Sequence, residues 1–212
     1  MVVPVIGDVV RSRQVADQRG LLAGLATAVA QLDDARSAAA TTGDEFQAVF
    51  DDLATAIRSV AGLRLRLLDE PPVDEPVALR VGFGIGEVIG PEPLDAGAPG
   101  QSGPGWWYAR SALDHVREPR RAWPQLRWWI DGDPEEASRL APFRATLVAL
   151  DAIAARFDAR DVSLARGLLA GRTASDLARE REVTRQSVAE RLHDHGVYGW
   201  VRALETLTEA VT

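Results

Sequence analysis

Residues 174–192 read Ala174-Ser175-Asp176-Leu177-Ala178-Arg179-Glu180-Arg181-Glu182-Val183-Thr184-Arg185-Gln186-Ser187-Val188-Ala189-Glu190-Arg191-Leu192, and their apolar positions are spaced for two short helices crossing over a small core. Leu177 and Ala178 are expected on the inner face of the first helix, Val183 plugging the turn, and Val188 and Leu192 on the inner face of the second. Ala178 is small enough for the helix backbones to approach at their crossing. Gly171-Arg172-Thr173 supplies a break and a cap ahead of the first helix, and Thr184 is placed to cap the second by accepting from the amide of Gln186 or Ser187. The turn position often held by glycine is Glu182, so a left-handed backbone there must be avoided or strained. Thr184, Arg185, Gln186, Ser187, Glu190 and Arg191 are left outside, the kind of side chains that a recognition helix presents to base edges and phosphates. The segment from about 173 to 192 therefore predicts a helix-turn-helix with double-stranded DNA as its partner. An ordinary pair of core helices is the plainer alternative.

Charge limits how such a reader could work. The net charge of -7 over 212 residues argues against coating of nucleic acid without regard to sequence, which needs a broad positive surface. From Arg172 to Arg202 the arginines (Arg172, Arg179, Arg181, Arg185, Arg191, Arg202) slightly outnumber the acids (Asp176, Glu180, Glu182, Glu190, Asp194), so this end is near neutral. One copy should bind weakly, and a homodimer is expected. Cysteine is absent, which removes disulfides and thiolate metal sites. No signal peptide is recognisable in Met1-Val2-Val3-Pro4-Val5-Ile6, and Leu21 to Leu32 is too short to span a bilayer, so a cytoplasmic location is expected and no membrane partner.

Working back toward the N-terminus, Val2 to Val10 reads as a buried strand and Val15 to Leu32 as an amphipathic helix. Ala38 to Thr42 and Phe46 to Phe50 read as strands around Gly43-Asp44-Glu45, followed by a helix from about Asp51 to Leu68. Val77 to Val88 is a further strand, Gly90 to Gly105 a loop rich in proline and glycine, Trp106 to Val116 a helix, and Leu126 to Ile130 a last strand. Everything from Pro134 onward is helical in pattern. The order β-α-β-β-α-β followed by helices predicts an α+β chain: a ferredoxin-like domain over 1–132 with helices on one face of its sheet, then an all-helical domain over 133–212.

Two patterns within the first domain bear on function. In Leu79-Arg80-Val81-Gly82-Phe83-Gly84-Ile85-Gly86 the alternation of a strand sends Val81, Phe83 and Ile85 to one face and Gly82, Gly84 and Gly86 to the other. Such a bare face admits either another backbone or a flat ligand or second subunit, and the pattern does not choose between them. It is not a dinucleotide fingerprint, because the glycines lie inside a strand. The second pattern is acidic. Asp8 closes the first strand and Asp44-Glu45 caps the hairpin, places that neighbour each other in a β-α-β-β sheet. Converging carboxylates suit magnesium with substrate phosphates. The favoured reading is plainer: Asp8 caps the following helix and Asp44 makes the turn.

Four motifs in order resemble the SatD family: Ile6-Gly7-Asp8-Val9-Val10-Arg11-Ser12-Arg13, Thr42-Gly43-Asp44-Glu45-Phe46-Gln47, Arg80-Val81-Gly82-Phe83-Gly84-Ile85-Gly86 and Tyr108-Ala109-Arg110-Ser111-Ala112-Leu113. That family is also similar in carrying a C-terminal helix-turn-helix. The first three motifs further resemble the palm domain of class III nucleotide cyclases and GGDEF diguanylate cyclases. The resemblance implies metal ligation by Asp8 and by Asp44 or Glu45, for attack of a 3′-hydroxyl on an α-phosphate. It also places Arg110 on the helix that orients the ribose, where the cyclases add an asparagine that is absent here. No lysine exists in the chain, leaving Arg11 or Arg13 as an imperfect replacement for the one that reads the base or phosphate. Thr42 stands where the GGDEF hairpin has a glycine.

The expectation from these features is a transcriptional regulator with a degenerate cyclase-like domain that dimerises or senses a nucleotide or magnesium. The alternative is a metal-dependent nucleotidyl cyclase or nucleotidyltransferase. His115, His193 and His195 lack the companions of a zinc site, and the aromatic group Trp106, Trp107, Tyr108, Trp123, Trp128 and Trp129 is read as core or dimer interface.

Overall fold

The first strand, β1 (Val3–Val9), is buried along its whole length, because both faces of the sheet around it are covered. Val3, Val5 and Val9 point into the main core, while Ile6 points the other way and packs with Val49, Trp106, Ala109 and Leu113. The computed structural model describes residues 2–90, 100–118 and 123–210. Residues 91–99 of the expected proline- and glycine-rich loop lie outside the described residues.

After a single 3-10 turn come α1 (Gln18–Ala30), β2 (Ser37–Ala40), β3 (Glu45–Phe50), α2 (Leu53–Asp69), β4 (Leu79–Ile85), α3 (Pro104–Arg117) and β5 (Trp128–Gly132). The sheet order is β2-β3-β1-β4-β5. Neighbours among the first four strands are antiparallel, and β5 joins β4 in parallel through the α3 crossover. The chain is thus a mixed α+β protein, with its helices continuing as α4 (Ala137–Ala154), α5 (Ala159–Leu169), α6 (Ala174–Glu180), α7 (Arg185–Asp194) and α8 (Val197–Glu209). Asp17 and Asp52 start α1 and α2 by accepting from the amides of Gly20 and Thr55, which satisfies a donor that the first helical turn leaves without a partner.

One expectation about the sheet is corrected. Helices do not lie on one face only, because α3 packs across β4, β1 and β5 on the face opposite α2. The glycines of β4 are what let it lie so close. A Cβ on Gly82 would sit 2.2 Å from the Ala109 carbonyl oxygen, and one on Gly84 would sit 1.9 Å from that of Gly105. The bare face of β4 is therefore filled by backbone of this chain, and no floor for a flat ligand is left there.

The C-terminal helices share one continuous apolar core with the sheet. Two indoles fasten the layers: Trp128 of β5 donates to the Leu147 carbonyl at 3.0 Å, and Trp200 of α8 donates to that of Leu150 at 3.1 Å. Asp151 of α4 is buried, accepting from Arg64 Nη2 at 2.6 Å and from the Arg127 amide at 2.5 Å. Burial pushes its carboxyl above the usual range and the Arg64 guanidinium opposes the shift. The residue numbers 132 and 133 mark the end of β5, but packing runs across that point without a break.

Candidate functional site

Helices α5, α6 and α7 are short and each needs capping. Asp158 caps α5 with its side chain on the amides of Arg160 and Asp161, and Thr173 caps α6 on the amide of Asp176. Thr184 caps α7, its hydroxyl accepting from the Ser187 amide at 3.1 Å, one of the two partners that its position predicts. Leu177, Ala178, Val188 and Leu192 are all buried between α6 and α7 as the apolar spacing requires. Leu177 also reaches α5, where a Cβ on Gly167 would lie 2.5 Å from its Cδ2.

The connection between α6 and α7 differs from expectation. Val183 does not plug the turn but is 48% exposed. The turn is closed by backbone instead: the Val183 amide donates to the Ala178 carbonyl and the Glu182 amide to that of Arg179. This is the double-bonded helix end that normally carries a left-handed glycine. The end of α5 has the same pair of bonds, from Arg172 to Gly167 and from Gly171 to Leu168, with Gly171 at φ 78°. At the end of α6 the left-handed residue is Glu182 at φ 54°, a conformation that costs an ordinary residue about 1 kcal/mol.

The outer face of α7 is exposed at Arg185, Gln186, Ser187 and Glu190, with Gln186 donating to Glu190 at 2.8 Å. Arg191 does not belong to that group, which corrects its assignment as a surface contact. It turns inward and holds α7 against the start of α5, with Nε donating to Asp161 Oδ1 at 2.8 Å and a second bond to Asp158. Asp161 is fully buried and also meets His195 Nδ1 at 2.9 Å. The Asp161 amide, and after it the Arg191 guanidinium, hold the Asp158 carboxyl down at about 2.

At one end of the three central strands the register sets Asp8 opposite Glu45 on one side and opposite Arg80 on the other. The two carboxylates do converge, but arginine lies between them. Arg80 Nε donates to Asp8 at 2.8 Å, and Arg117 at the end of α3 reaches Asp8 at 2.8 Å and Glu45 at 3.6 Å. Arg110 grips Glu45 with both terminal nitrogens, at 2.7 and 2.8 Å, and holds that carboxyl below its usual range. Asp44 stays in the turn before β3, beside Gly43 at φ 69°. Magnesium does not fit this donor set as arranged, since guanidiniums occupy the carboxylate oxygens that would ligate it. Among the described residues no group of three or more His, Cys, Asp or Glu side chains is placed to hold a metal ion. Arg80 and Arg117 are the members that sequence reasoning missed, and the strand register of Arg80 was the available signal.

The whole described chain, from β1 to the end of α8, lies within residues 2–210, which match the SatD family. The chain belongs to the SatD family. No curated protein and no solved structure matches it. In this SatD family chain the remaining candidate ligand residues are dispersed. Arg11 and Arg13 are exposed beyond the end of β1, with Arg11 left-handed at φ 56°, whereas Arg110 is engaged by Glu45 and Gly86 lies under the first turn of α3. No described helix is long and apolar enough to cross a membrane.

Proposed function

We propose that this chain is a DNA-binding transcriptional regulator in which α6 and α7 form a helix-turn-helix and α7 is the recognition helix. The observation that carries the reading is the contrast within α7. Val188 and Leu192 are buried and Arg191 is tied inward, while Arg185, Gln186 and Ser187 stand exposed at the helix start, where recognition helices meet base edges. Thr184 and Glu190 flank them and supply contacts to phosphate and base. With few cations on this face one copy binds weakly, so two copies act together on a palindromic site whose half-sites are about one helical turn apart.

The sheet supports a non-catalytic role for the first domain. Its β2-β3-β1-β4 order with antiparallel neighbours supports the ferredoxin-like reading, while its acidic cluster is neutralised by arginine. We read it as a scaffold for dimerisation. Recovery of genomic fragments bound by the purified protein, followed by footprinting, tests the proposal. A protected palindrome bound by a dimer is expected. Recovery of random fragments only, or a monomer bound to an asymmetric site, contradicts it.

A further inference from the structure

We propose that the cleft between α4, α8 and the start of α2 binds a lipophilic cation. The cleft measures about 1180 Å³, ample for a drug-sized body, since sites of ~300–1000 Å³ serve such ligands. Its walls are apolar: Leu53 of α2, Ile85 at the end of β4, Leu140 and Phe143 of α4, and Leu207 of α8. Gly199 and Ala203, one turn apart on α8, keep one side low. A Cβ on Gly199 would meet nothing within 4 Å. No neighbouring backbone demands a glycine there, in contrast to Gly82 and Gly84, and its effect is to leave room.

Charge decides which apolar ligand fits. The lining carries three carboxylates, Asp51, Asp52 and Glu136, against two guanidiniums, Arg139 and Arg202. Both arginines already face carboxylates: Arg139 lies 2.7 Å from Glu136, and Arg202 lies 3.3 Å from Glu205 and 3.8 Å from Glu209. Asp51 pairs with Arg36. Asp52 is held by the amide and hydroxyl of Thr55, at 2.8 and 2.9 Å, with Arg58 adding a weaker attraction. The hydrogen bond from the Thr55 amide keeps its carboxyl below the usual range, and therefore charged. An anion entering here meets surplus negative charge, and a small hydrated cation meets apolar walls. A cation spread over an apolar body satisfies both. The site stands whether or not α7 reads DNA.

Isothermal titration of the full-length protein with tetraphenylphosphonium tests the proposal, with tetraphenylborate as an anion of the same shape. Saturable one-to-one binding of the cation is expected, with the borate at least about tenfold weaker because the pair differs in charge sign alone. Ala203→Phe fills the cleft and should abolish binding. Gly199→Leu serves the same purpose if the first variant does not fold. Asp52→Asn keeps a residue suited to helix capping while removing the charge, and should weaken binding several-fold. Absence of saturable binding, borate binding as tight as that of the cation, or binding indifferent to cleft filling would overturn the proposal.

Discussion

Two charged regions of this chain differ in where their charges end. At the end of the central strands Asp8 and Glu45 face Arg80, Arg110 and Arg117, and the network closes on itself. On α7 the side chains at positions 185 to 187 face solvent. Polar groups satisfied within the fold contribute to stability, whereas groups left outward are available to a partner. Residue type alone does not separate the two cases. The decisive partners are remote in sequence: Arg117 lies 109 residues from Asp8.

The comparison predicts opposite responses to mutation. The largest loss of stability should come from Arg191→Ala, because it leaves the buried Asp161 facing only its helix-cap amide and His195. Roughly 3 kcal/mol is expected in urea unfolding, within the range for breaking one side of a buried pair. A loss under about 0.5 kcal/mol would return Arg191 to the outer surface. Arg117→Met should cost less, on the order of 1–2 kcal/mol, since Arg80 and Arg110 still satisfy Asp8 and Glu45. Manganese with ATP should leave the wild-type melting temperature unchanged. A metal-dependent rise abolished by Asp8→Asn would reopen the acidic cluster as a ligand site.

These two variants also show what could be read in advance. The inner face of α6 and α7, the Thr184 cap and the meeting of Asp8 with the hairpin follow from periodicity and strand order, which are local or nearly so. The sense of Arg191 did not, because its partners Asp158 and Asp161 belong to another helix whose packing angle sets their reach. The turn at Val183 failed for a related reason: backbone bonds closed it, so the apolar side chain was not needed. In β4 the alternation of glycines was legible, but its cause was α3, whose close passage no spacing rule foretells.

The smallest effect concerns acid. Asp158 has a carboxyl lowered from 3.8 to about 2 in the fold, so its contribution is complete above roughly pH 4 and fades as pH falls through about 2. The group is exposed, and solvent screening limits the contribution to under ~1 kcal/mol. Asp158→Asn should therefore lower the melting temperature slightly at pH 6, with the difference from wild type shrinking toward pH 2. A difference that grows in acid would contradict the ion pair with Arg191.

If α7 is a recognition helix, the exposed side chains at its start contact DNA without supporting the fold. Fluorescence anisotropy on a captured genomic fragment, run beside urea unfolding, tests it with the Arg185→Ala, Gln186→Ala double variant. A loss of about 1–3 kcal/mol in specific binding is expected for each side chain that contacts a base, with stability within about 0.5 kcal/mol of wild type. Unchanged affinity in the folded double variant would contradict it.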